Sequence, residues 1–120
     1  LTLDENQIRQ ALAGSRWPGR LEKIASKPDF YLDGAHNPHG VRALVPELRQ
    51  LAENRRLILL IGAMKDKQVA EMVSCLAPLA TEIIATRAAL DRSCSTEQLC
   101  REAEKYCQMV FLTESIAEAL

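Results

Sequence analysis

The sequence predicts an α/β fold, a three-layer Rossmann-like domain with a mostly parallel sheet and helices on both faces. Three observations carry this. Short apolar runs alternate with helical stripes from residue 30 onward. One run, RLILLIGA at 56–63, is apolar without interruption, as in a strand covered on both faces. Strand, helix, strand, helix at this spacing builds a parallel sheet with crossover helices.

Taken in order, DENQIRQALAG (4–14) predicts a short helix ending at Gly14, SRWPG (15–19) a loop and RLEKIA (20–25) an edge strand. FYLD (30–33) predicts the first central strand. In PHGVRALVPELRQLAE (38–53) the residues Val41, Leu44, Val45, Leu48 and Leu51 form a helical stripe. After the 56–63 strand, DKQVAEMVSCLAPLA (66–80) places Val69, Met72, Val73 and Leu76 on one side of a helix that Pro78 ends or kinks. TEIIATRA (81–88) is a third strand, and STEQ (95–98) is a capping box opening a helix through Cys107. MVFL (109–112) is a fourth strand, with Thr113 as N-cap of the last helix.

A chain of 120 residues is the size of one domain. With 48% hydrophobic and 26% charged residues and a net charge of -1, it is neither disordered nor an electrostatic nucleic-acid binder. Cys75, Cys94, Cys100 and Cys107 form no CxxC pair and read as reduced thiols. No apolar run approaches the roughly 20 residues that span a bilayer, and no stretch of the sequence resembles a signal peptide. The expectation is a cytoplasmic protein with no membrane partner. The chain starts without Met and stops inside an amphipathic pattern, IAEAL, which reads as a fragment of a longer protein.

In open parallel sheets, ligands collect at the carboxyl ends of the strands. That rule selects Asp33 and His36, Lys65 and Asp66, and Arg87 and Asp91. Within DGAHNPHG, Gly34 permits a sharp exit, Asn37 is a good N-cap and Pro38 suits the first helical position. The helix start beyond them is a place for a phosphate or another anion. Asp33 there either holds a ribose or only fixes the turn, and His36 reaches a phosphate or carboxylate. His39 reads as a solvated first-turn residue. A metal site from Asp33, His36 and His39 is disfavoured because Pro38 and the helix start separate the histidines. Arg20 sits after a Pro-Gly turn, where its flat fork either meets a phosphate or lies on the surface beside a buried Trp17. Lys65, Asp66 and Lys67 read as a solvated turn with Asp66 capping the next helix. No GxxxxGK[ST] loop or GxGxxG is present, so most of any phosphate cradle lies elsewhere.

WPGRLE (17–22), LDGAHNPHG (32–40) and LLIGAMKDKQ (59–68), in this order, resemble the C-terminal domain of folylpolyglutamate synthase and its bifunctional dihydrofolate synthase forms, within the Mur ligase superfamily. The resemblance covers residues 15 to 120. It implies an ATP-dependent amide ligase that adds L-glutamate to dihydropteroate or folate through an acyl phosphate, with magnesium as cofactor. It also implies that Arg20 contacts the ATP phosphates, Asp33 holds the ribose, and His36 sits near the reacting phosphate or the incoming glutamate. The phosphate loop, magnesium ligands and pteridine pocket would belong to an N-terminal domain outside this sequence. Residues 1–120 are thus expected to be the Mur ligase-type C-terminal domain, with 1–19 as linker and a hinge near Arg16 to Arg20. Alone the chain is expected to be inactive, and the parent to be a monomer.

Two other classes remain open. A receiver-type signalling domain has this size and alternation, but needs an acidic pair that the sequence before Asp33 lacks. A non-catalytic interaction module would keep the fold without the ligand chemistry.

Overall fold

The computed structural model describes residues 4–15, 17–65 and 67–120. The chain divides into two compact units, Leu1–Gly34 and Ala35–Leu120. Arg16, one end of the expected hinge, and Asp66, the expected helix cap, lie outside the described residues.

The first unit begins with helix α1 (Glu5–Gly14). Asp4 caps it by accepting from the Asn6 amide, while Gln7 reaches back to the Asp4 amide at 3.2 Å. No residue of α1 is buried. Strands β1 (Glu22–Ser26) and β2 (Asp29–Leu32) pair antiparallel, with Glu22 opposite Leu32 and Ser26 opposite Asp29. The edge strand predicted over 20–25 is β1. FYLD, however, is not the first strand of the parallel sheet: it belongs to this hairpin. Only Lys27 and Pro28 separate the two strands. A link that short closes an antiparallel pair, whereas a parallel neighbour needs a crossover of about a dozen residues or more.

The second unit holds the parallel sheet. Its strands β3 (Ile58–Ile61), β4 (Glu82–Ala85) and β5 (Val110–Leu112) lie in that order, each parallel to the next. Helix α2 (Pro38–Leu51) precedes them, α3 (Val69–Leu76) and α4 (Thr96–Ala103) make the two crossovers, and α5 (Ile116–Ala119) follows. Val69, Met72, Val73 and Leu76 are the buried residues of α3, the stripe the sequence predicts, and Pro78 lies in the tight turn that ends it. α2 packs on α3, and Arg42 pairs with Glu71 across them.

The core gathers Leu59, Ile61, Ile83, Ala85 and Val110 against Val69, Val73, Leu99 and Ala103. These sheet residues alternate along their strands, so they share one face. On the other face Ile58 is 52% and Phe111 49% exposed. Farther along that face Leu60 and Ile84 are half-buried, so the 56–63 run is covered in part on both faces. Successive right-handed crossovers that step in one direction put both helices on the same side of a sheet.

Two boundaries differ from expectation. α4 stops at Ala103 rather than running through Cys107, whose buried thiol lies 3.8 Å from the Ala80 carbonyl and 3.6 Å from that of Met109. Seating that side chain in the core takes the chain off the helical path. The last helix is capped by Ser115, which accepts from the Glu118 amide at 3.2 Å, and not by Thr113. The Thr113 amide is still in the sheet, donating to Ala85 O at 2.9 Å. All four cysteines are free thiols. Among the described residues no helix is long and apolar enough to cross a membrane.

Candidate functional site

Arg20 sits on a turn whose backbone is tied down on both sides. Gly19 has φ +69°, a conformation open to glycine at little cost, and its amide donates to Glu22 Oε2 at 2.8 Å. Leu21 has φ +43°, which strains a residue with a Cβ by roughly 1–2 kcal/mol. Its amide donates to Asp33 Oδ2 at 2.7 Å, a short bond to an ionised acceptor and so one of the stronger kinds. The Gly34 amide donates to Gly19 O at 2.7 Å, and a Cβ on Gly34 would come within 3.3 Å of that oxygen. The WPGRLE turn and the DG step after β2 are thus clamped together.

Two predicted residues, Arg20 and Asp33, therefore both belong to one clamped turn of the first unit, Asp33 accepting from the amide of Leu21, the residue after Arg20. Asp33 does so from the end of a hairpin strand, not from the edge of the parallel sheet where the strand-end rule put it. The expected buried Trp17 is instead 76% exposed, and Arg20 is exposed with it. Glu22 was not singled out by residue type. Its signal is the spacing of a carboxylate three residues after the Pro-Gly glycine.

His36 belongs to the second unit, just before α2, and is exposed. Asn37 caps α2 by accepting from the Gly40 amide at 2.8 Å, and Pro38 occupies the first turn, as the sequence predicts. His39, also exposed, lies in that turn.

The other strand-end residues of the parallel sheet do converge. Lys65, Arg87 and Asp91 line an open recess of about 490 Å³ with Ser93 and Ser95. Lys65 Nζ donates to the Asp91 carbonyl at 3.1 Å, and its amide bonds Arg92 O at 2.8 Å. Arg87 Nε lies 3.7 Å from Glu114 Oε2. Burial pushes the Cys94 thiol up, against a smaller downward pull from the Lys65 charge. The Glu97 carboxyl at the start of α4 is held below its ordinary range by its own backbone amide and the Ser95 hydroxyl, with lesser help from Arg101 and Arg87. Among the described residues, no three His, Cys, Asp or Glu side chains are gathered to hold a metal ion.

A parallel α/β unit with cations at its strand ends, preceded by a hairpin that displays a guanidinium on a clamped glycine turn, defines the class of domain. The chain belongs to the Mur ligase, glutamate ligase domain family, whose sequence model matches residues 19–120. It is similar to dihydrofolate synthase/folylpolyglutamate synthase of Bacillus subtilis, 37% identical over 81 residues, which are 68% of this chain and 19% of that protein. Its fold is similar to that of Mycobacterium tuberculosis folylpolyglutamate synthase complexed with ADP, with TM-score 0.86 and 29% identity over 98% of this chain and 27% of that one. It is also similar to the bifunctional folylpolyglutamate synthase/dihydrofolate synthase of Yersinia pestis complexed with AMPPNP and Mn ion, with TM-score 0.81 and 28% identity over 99% of this chain and 28% of that one. The chain spans 16% and 19% of the length of two curated relatives.

Proposed function

We propose that residues 1–120 are the C-terminal domain of an ATP-dependent amide ligase, with 1–19 as its entry segment, and that the parent adds L-glutamate to dihydropteroate, to a folate, or to both. What carries the reading is the guanidinium of Arg20, presented on a turn tied to Asp33, in a chain whose relatives bear synthase names and are solved with adenine nucleotides. In the proposed reaction the γ-phosphoryl group passes from ATP to a substrate carboxylate. The glutamate amine attacks the acyl phosphate, and the tetrahedral intermediate releases inorganic phosphate. Arg20 neutralises charge on the phosphates, and its fork is suited to two phosphate oxygens at once. A carboxylate has about four lone-pair positions, so the bond from Leu21 is compatible with Asp33 also accepting from a ribose hydroxyl. His36 is assigned to the reacting phosphate or the incoming glutamate. Magnesium would supply further charge neutralisation, and by the resemblance its ligands are assigned to an N-terminal domain. With its free thiols the parent is proposed as a monomeric cytoplasmic enzyme without nucleic-acid or membrane partners.

The test is ATP-dependent incorporation of glutamate by the full-length protein. Arg20→Ala and Asp33→Ala are each expected to lower kcat/KM for ATP by about 100-fold or more, and His39→Ala by less than about twofold. Unchanged ATP use in both of the first two variants would sink the ligase reading in favour of a non-catalytic module. With 3′-deoxy-ATP the Asp33→Ala penalty should shrink if Asp33 holds the ribose; an equal penalty with both nucleotides assigns Asp33 to the turn alone.

A further inference from the structure

We propose that Glu22, acting with Asp33, is a positioning residue that sets the direction of Arg20. The inference rests on the phosphate contact proposed above for Arg20. Three consecutive amides, those of residues 19, 20 and 21, all have acceptors. Gly19 donates to Glu22 Oε2 at 2.8 Å, Arg20 to Trp17 O at 3.2 Å and Leu21 to Asp33 Oδ2 at 2.7 Å. The two residues flanking Arg20 are therefore the two whose amides end on carboxylates. They are also the two with left-handed backbone, at φ +69° and +43°.

A non-glycine residue stays in that region only where its surroundings over-determine it. Leu21 is half-buried between an exposed Trp17, at 76%, and a β1 exposed along its whole length, so packing around the turn is sparse. The two carboxylates are its polar anchors. Asp33 holds the far side of Arg20 and is itself anchored through the neighbouring Gly34 amide to Gly19 O. Glu22 holds the near side from the first residue of β1, three positions along from the glycine it caps. With both flanking peptides fixed, ordering Arg20 on a ligand costs only side-chain freedom. That is the economy of a preorganised site.

The experiment is a double-mutant cycle in the full-length protein, read as KM for ATP and kcat. Glu22→Ala should raise KM for ATP about tenfold, the scale of one hydrogen bond to a charged group, and its melting temperature should stay close to that of the parent. Glu22→Gln, which keeps an oxygen for the Gly19 amide, should stay within about twofold. In an Arg20→Ala background, Glu22→Ala should have no further effect, because there is no guanidinium left to aim. If Glu22→Ala does not fold, Glu22→Met, which keeps the stem and lacks the acceptor, takes its place. Severe loss in Arg20→Ala together with an unchanged KM in Glu22→Ala, or with equal Glu22 effects in both backgrounds, overturns the positioning role and leaves the phosphate reading standing. A harmless Arg20→Ala removes the phosphate reading itself, and the positioning role with it.

Discussion

The two units of this chain hold their shapes by different means. Every buried apolar side chain among the described residues lies between Pro38 and Cys107, in the second unit. The first unit has an exposed helix, an exposed β1 and a β2 that is at most half-buried. Its definition comes from polar ties: Asp4 with Gln7 at α1, Lys23 with Asp29 at 2.7 Å across the hairpin, and the carboxylate bonds around Arg20. Packing gives the second unit its stability, whereas hydrogen bonds to ionised groups give the first its local geometry. A turn of that kind can aim a side chain without a core beneath it, at the cost of depending on a few individual atoms.

The sharpest way to break this comparison is a matched pair of substitutions. Ile83 is 0% exposed and Ile24 54% exposed. Ile83→Ala should destabilise the protein by about 2–5 kcal/mol in urea unfolding, while Ile24→Ala should cost less than about 1 kcal/mol. Equal costs would mean that the hairpin is held by packing after all. A smaller effect tests whether polar ties also matter in the packed unit: Asn37→Ala removes the cap of α2 and should cost about 1 kcal/mol, with Asn37→Asp restoring most of it.

The smallest effect is a pH dependence at α4. Glu97 has a folded pKa below its ordinary 4.5, so its contribution to stability is fully present above the unfolded value and is lost as pH falls through the folded one. Glu97→Gln should be slightly less stable than the parent in urea at pH 7, and the difference should close as the solution is acidified below the folded pKa. A difference that persists in acid would show that Glu97 acts through something other than its charge.

Much of the second unit was legible because its signals are local. The stripe of Val69, Met72, Val73 and Leu76, the stop at Pro78, and the Asn37 and Ser95 caps each depend on residues within a few positions of one another. Motif resemblance singled out Arg20, Asp33 and His36 as candidates, and the strand-end rule singled out Lys65, Arg87 and Asp91. Asp33 was selected by that rule from a sheet it does not belong to. Alternation alone counts strands without saying which will pair, and the two-residue link at Lys27 and Pro28 was the sign that FYLD would turn back on β1. Trp17 was misjudged because an aromatic residue is usually buried, and the chain around it offers no core to bury it in.

By itself the sequence determined the helix faces, the Asn37 and Ser95 caps and the α/β class, because each follows from interactions that a short stretch of chain makes with itself. Tertiary structure decided how far each face of the sheet is covered, where α4 leaves its helical path to seat Cys107, and that Leu21 takes a left-handed backbone against the Asp33 carboxylate twelve residues away. Such contacts exist only once the chain has closed on itself. The free energy that holds them is shared between distant positions, and no local pattern records it.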